Sequence, residues 1–244
     1  MAQGWRTDTY RALSSGSTGK VHVVTVDYRG FGYSTGTPTE EGLIIDGVAL
    51  VDWALHTAKI PPERIILLGQ SLGTAVTTAV AEHFVSRSPP VEFAGVVLAA
   101  AFSDIPTLML TYSAGGIVPI LSPLRPYPRL QKWFIGRIRD TWNTKTRLAN
   151  FVNQSRKVRL ELVHARNDFD IPWKHSDTLF YAAANATTEV GMSEKEVNSV
   201  KSTIDLGEAG WVNTWNAGGN KKIRQEIVLH GGRFKLVPDV HPLY

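Results

Sequence analysis

The chain has no cysteine among its 244 residues. That absence excludes a disulfide framework, a thiolate nucleophile and any cysteine-ligated metal site. Charge of one sign is also scarce: 26 Lys and Arg against 22 Asp and Glu leave a net charge of +4 and a pI near 9.3. A negatively charged partner is therefore permitted but not demanded. No unbroken apolar run reaches membrane-span length. The nearest, residues 105–124, is interrupted by paired glycines and by prolines, which argues for a lid over a site and against a stable spanning helix. The opening MAQGWRTDTYRALSS has no apolar core of the kind a signal peptide needs. Repeats and low-complexity tracts are missing too. GSTGK at 16–20 imitates a phosphate loop but fails it, because Ser14 stands where the first glycine is required and Val21 where Ser or Thr is required.

What is present is enough for a sizeable core: 43% of the residues are hydrophobic, which suits one domain over 1–244. Short β-branched or aliphatic runs bounded by turn residues predict buried strands in VHVVTVDY (21–28), RIILLG (64–69), FAGVVLAAAF, VRLELVHA and IRQEIVL. Between the first two lies TPTEEGLIIDGVALVDWALHTA. There Thr37 is placed to cap a helix, Pro38 suits its first position, Glu40 completes a capping box, and Ile44, Val48, Val51 and Leu55 recur at helical spacing. Further helices are predicted from about Thr74 to Phe84 and in HSDTLFYAAANA. Strands alternating with helices imply parallel pairing with right-handed crossovers, a doubly wound, mostly parallel α/β sheet. Two stretches break the alternation: a Pro-rich, aromatic and basic insertion at 104–153, read as a lid or cap, and an excursion at 189–222, read as part helix and part loop.

The run ILLGQSLGTA puts Ser71 between Gly69 and Gly73, after a predicted strand and before a predicted helix. G-x-S-x-G in that context is a nucleophile elbow: a sharp turn exposes the hydroxyl above the sheet, and flanking glycines let strand and helix approach each other. Gly69, Gln70 and Gly73 form the elbow, and the N–H of Leu72 at the positive end of the following helix is the expected oxyanion donor. An open parallel sheet gathers its functional groups beyond the carboxyl ends of its strands. Asp168 and Asp170 follow VRLELVHA, His230 follows the last strand, and Asp104 follows FAGVVLAAAF as a third acid. Serine, acid, histidine is the chain order of the α/β-hydrolase triad. For Asp170, followed by Ile-Pro, a loop or capping role is favoured.

The segments DYRGFGYSTG, LLGQSLGTA, LVHARNDFDIPWKHS and the closing glycine pair resemble the α/β-hydrolase superfamily, and within it the monoacylglycerol and lysophospholipid lipase branch, fungal members included. The likeness runs over nearly the whole chain. It implies Ser71 as nucleophile, Asp168 as acid, a lipid-directed ester hydrolase without metal or cofactor, and membrane association at the endoplasmic reticulum. Arg29 and Gly30 would belong to a structural turn. The same likeness implies a chain short at both ends. The family's first strands, with a His-Gly motif supplying a second oxyanion donor, have no counterpart, and neither has its closing helix. Losing such a donor typically costs about 100-fold to 1,000-fold in turnover. Arg233 stands where the family places its histidine, and a guanidinium cannot serve as a base near neutral pH.

His230 and His241 are then the remaining candidate bases, and a catalytically impaired hydrolase-like protein that binds lipid or a partner is the rival reading. Between 121 and 160, ten Arg and Lys face the single acid Asp140, with Trp133, Phe134 and Trp142 among them. This composition suits an anionic membrane surface, and equally a solvated basic face whose aromatics pack inward. No nucleic-acid-binding motif accompanies the charge. His164 and His175 show no partner spacing for a metal site.

Overall fold

The computed structural model describes residues 7–15, 19–111, 113–114, 118–119 and 126–231. Its centre is a six-stranded sheet in the order β1-β2-β5-β8-β7-β6. The strands are β1 (Ile66–Gln70), β2 (Gly95–Ala99), β5 (Val158–Ala165), β6 (Ser202–Asp205), β7 (Gly210–Ala217) and β8 (Lys221–Val228). A separate two-residue ladder pairs β3 (Ser113–Ala114) with β4 (Val118–Pro119). Strands β1, β2, β5 and β8 run parallel, and β7 and β6 extend the sheet antiparallel beyond β8. The predicted mostly parallel α/β sheet is therefore the observed architecture. The 189–222 excursion contains a capped helix, α8 (Glu194–Val200), and the whole of β6 and β7.

Helices cover the sheet because their apolar stripes match its faces. In α3 (Leu72–Val85), Ala75, Val76, Ala79, Val80 and Phe84 are buried. Helix α6 (Thr144–Gln154) buries Leu148, Phe151 and Val152, and α7 (Lys174–Asn185) buries Leu179, Phe180 and Ala183. Thus the last residues of the 104–153 span form a core helix. Among the described residues, α4 (Ile105–Thr111), the short ladder and α5 (Pro128–Ile135) lie in its earlier part. A buried polar chain also fixes the register of the far side: Asn213 Nδ2 donates to Gln225 Oε1 at 2.8 Å, and Gln225 Nε2 donates to Ser176 Oγ and Asp177 Oδ1. Each member has a hydrogen-bond partner, although burial still pushes the Asp177 carboxyl up against the opposing Gln225 bond.

Two local expectations are corrected. Residues 21–28 form no strand; they run outside the sheet, and Val21 to Val26 are exposed. Strand propensity needs a neighbouring ladder to satisfy the backbone. β1 is the edge of the sheet, with Ile66 62% and Leu68 47% exposed. The second correction concerns helix α2 (Glu40–Asp52), which is capped by Thr39, not Thr37: the Thr39 hydroxyl accepts from Gly42 N–H at 3.1 Å. Glu40 makes no capping box, because its carboxylate accepts instead from Trp142 N–H at 2.8 Å and from Arg147. That pair ties the helix to the base of the insertion. The predicted apolar stripe does face the core, with Val51 buried and Ile44, Val48 and Leu55 packed against it.

Candidate active site

Four parallel strands end on one rim, and each exit carries a residue with chemistry. Ser71 follows β1, Ser103 and Asp104 follow β2, Asp168 lies three residues past β5, and His230 two past β8. Ser71 adopts φ 54°, ψ −125° at the N-terminus of α3. A side-chain-bearing residue holds such a conformation only when its surroundings over-determine it. Here they do. Ser71 N–H donates to Ala99 O at 2.9 Å, and Ser71 O accepts from both the N–H and the hydroxyl of Thr74. A Cβ on Gly69 would strike the carbonyl of Gly73 and come within 2.6 Å of Thr77 Oγ1. A Cβ on Gly73 would meet open space, so close approach requires glycine at 69 alone. Leu72 opens the helix, where the backbone N–H has no intrahelical acceptor.

The Asp168 loop is held differently. Asp168 is 7% exposed, and its Oδ1 accepts the N–H groups of Asp170 and Ile171, each at 3.0 Å. Its buried Oδ2 accepts no hydrogen bond from the described residues. Below it His164, fully buried at the end of β5, donates from Nε2 to Ile171 O at 2.8 Å and lies 3.8 Å from Oδ2. That bond fixes the His164 proton on Nε2. Burial pushes the His164 imidazole toward its neutral form, opposed by the Ile171 carbonyl and the Asp168 carboxylate. Strand β5 and its loop are thus stapled by one imidazole, leaving a single carboxylate oxygen open.

Sequence reasoning missed a second buried cluster beside it. His175 Nδ1 accepts from Ser103 N–H at 3.3 Å, and Ser103 Oγ donates to Asp104 Oδ2 at 3.0 Å. Burial, together with the neighbouring His164, depresses the His175 pKa to about 4, while Asp104 opposes the shift. Asp104 also caps α4 by accepting from Thr107 N–H at 2.6 Å, so this third acid has a structural role. The signal was present in principle: His164 and His175 both fall on inward-facing positions. The turn residue Arg29 is tied through its backbone N–H and its guanidinium to Asp46. Among the described residues no group of three or more His, Cys, Asp or Glu is placed to hold a metal ion.

His230 is exposed and leaves the strand next to Asp168's, the two strands being linked by Arg166 N–H to Val228 O at 2.7 Å. Ser71 stands two strand spacings away from β5, about 10 Å. An imidazole from 230 therefore has to lean back across β5 and β2 to reach it. Arg233 and His241 lie outside the described residues.

Residues 2–191 match the model of the alpha/beta hydrolase family. The chain belongs to that family. It is 33% identical over 171 residues to the protein ABHD12B of Homo sapiens, covering 70% of this chain and 44% of the relative. It is 29% identical over 203 residues to the lysophosphatidylserine lipase ABHD12 of Macaca fascicularis, covering 83% of this chain and 46% of that protein. The chain spans about half the length of the curated relatives it matches. An alpha-beta hydrolase from Vibrio vulnificus shares the fold with a TM-score of 0.59 at 14% identity, covering 73% of this chain and 57% of that one.

Proposed function

We propose that this alpha/beta hydrolase is a serine hydrolase cleaving carboxylic esters of lipids, of the lysophospholipid or monoacylglycerol type, at an anionic membrane surface. The observation that carries the reading is Ser71 in its strained turn between β1 and α3. Positive φ also occurs at Lys59, Ala100 and Trp142, so what supports the reading is that at Ser71 it falls in a glycine-flanked turn from β1 into the N-terminus of α3. In the proposed reaction Ser71 Oγ attacks the ester carbonyl while an imidazole, assigned to His230, takes its proton. The developing oxyanion meets the Leu72 N–H and the positive end of α3. Collapse expels the alcohol, which takes the proton back from the imidazole. Water then attacks the acyl-enzyme by the same route and releases the fatty acid. Asp168 Oδ2, buried and without a hydrogen bond from the described residues, is the acceptor assigned to hold the imidazole in the correct tautomer.

The second reading, a hydrolase-like protein with impaired catalysis, is favoured by one observation: His230 is exposed at the end of β8, three strands from β1. Both are tested by hydrolysis of lysophosphatidylserine and monoacylglycerol by wild type, Ser71→Ala and His230→Gln. The first reading expects turnover abolished in Ser71→Ala and cut by at least about 1,000-fold in His230→Gln. Turnover that His230→Gln leaves unchanged assigns the base elsewhere. Turnover surviving Ser71→Ala contradicts the proposal.

A further inference from the structure

Helix α5 (Pro128–Ile135) is oriented the wrong way round for a helix that merely packs. Its aliphatic Ile135, with Ile138 just beyond, is half-buried, while its largest apolar residues point outward. Trp133 is 52%, Phe134 44% and Leu130 44% exposed, and the preceding Tyr127 is 63% exposed. At 100° per residue, Leu130, Trp133 and Phe134 share one face. Contiguous exposed apolar surface of this kind marks a contact site on a soluble molecule. Trp142, from the same basic segment, is buried, so the sequence does not turn its aromatics outward indiscriminately.

The charges beside this face are of one sign. Arg129, Lys132, Arg137 and Arg139 lie between Pro126 and Arg139, a span with no acid, and the Arg137 guanidinium sits 4.7 Å above the Trp133 ring. Tryptophan, phenylalanine and leucine rimmed by arginine and lysine match the boundary between acyl chains and anionic headgroups, where rings bury their apolar body and cations meet phosphate or carboxylate. We propose that residues 127–139 form a docking surface for an anionic lipid bilayer, with Leu130, Trp133 and Phe134 entering the headgroup layer and the four basic residues bound to lipid anions. This inference rests on the membrane-surface part of the proposed function and does not require Ser71 to react.

The test is co-sedimentation of the full chain carrying Ser71→Ala with vesicles of phosphatidylcholine alone or phosphatidylcholine with phosphatidylserine. That variant leaves the lipid intact, so binding is read whether or not the protein is a hydrolase. Binding to the phosphatidylserine vesicles, weakened by salt, supports the proposal. Arg129→Gln with Lys132→Gln should lower partitioning roughly 30-fold, and Trp133→Ala with Phe134→Ala roughly tenfold. All four positions are exposed, and unchanged circular dichroism verifies that the variants fold. Equal binding to the neutral vesicles, or partitioning indifferent to both double variants, overturns it. So does a wild-type dimer in sedimentation velocity that Leu130→Asp dissociates, since the apolar face is then covered by a second copy.

Discussion

Two loops on the same rim are built by opposite means. The Ser71 turn is held by the backbone: a positive φ, a carbonyl doubly capped by Thr74, and a glycine at 69 that lets strand meet helix. The Asp168 loop is held by side chains, with His164 donating across to Ile171 O and Asp168 itself accepting two backbone N–H groups. The first arrangement stores strain at a serine that is itself only 9% exposed. The second removes nearly all freedom from a carboxylate while leaving one oxygen for a partner. In the proposed reaction a nucleophile has to be aimed at the ester, whereas an orienting acid has to be fixed, and the two loops divide along that line.

The comparison can be broken most forcefully at His164. Replacing it by alanine leaves a cavity and an orphaned Ile171 carbonyl, and should cost about 4 kcal/mol in chemical denaturation. His164→Gln, able to donate to the same carbonyl, should recover part of the loss. An equal loss in both variants would mean that the ring's volume matters and its hydrogen bond does not.

Acid should weaken the side-chain-built region next. The His175 pKa is depressed to about 4 in the folded chain against 6.5 for the free side chain. The folded state therefore resists protonation that the unfolded state accepts, and the stability present above pH 6.5 is lost as pH falls toward 4. That difference corresponds to roughly 3 kcal/mol, and buried His164 acts in the same direction. His175→Asn keeps an acceptor for Ser103 N–H without titrating, so its unfolding free energy should change less between pH 7 and pH 4.5. A slope identical to wild type would remove His175 from the account.

On the backbone-built side the expected effects are smaller. Gly69→Ala forces a methyl against Gly73 and Thr77 and should destabilise by about 2 kcal/mol. Ser71→Gly relieves the positive φ and should raise stability by about 1 kcal/mol, measured as an increase in melting temperature, while removing the proposed nucleophile. A Ser71→Gly protein less stable than wild type would show that the turn carries no strain.

This division also explains what the sequence made legible. The Ser71 turn was readable because its determinants are local: two glycines, a β-branched run before and a helix after. Strands β2, β5 and β8 were readable for the same reason. The role of His164 was not, since it depends on a carbonyl seven residues away that only the folded loop brings to its Nε2. The segment 21–28 has strand composition but no ladder beside it, and β6 and β7 sit in a polar stretch whose strand character comes from pairing β7 with β8 and β6 with β7. A ladder for 21–28 is a tertiary matter that local patterning cannot settle, whereas β6, β7 and β8 are consecutive antiparallel neighbours joined by residues 206–209 and 218–220, and polar composition concealed the first two. The cap at Thr39 was misplaced by two residues because Glu40 is recruited by Trp142, 102 positions away.

The central proposal, that a fixed Asp168 serves Ser71 through an imidazole on the same rim, is tested most directly by the rate of fluorophosphonate labelling in wild type, Ser71→Ala and Asp168→Asn, with the modified peptide mapped by mass spectrometry. The account predicts a single adduct on Ser71, none in Ser71→Ala, and labelling slowed by at least about 100-fold in Asp168→Asn. Labelling of wild type and Asp168→Asn at equal rates, or no adduct on Ser71 in a folded wild-type protein, would contradict it.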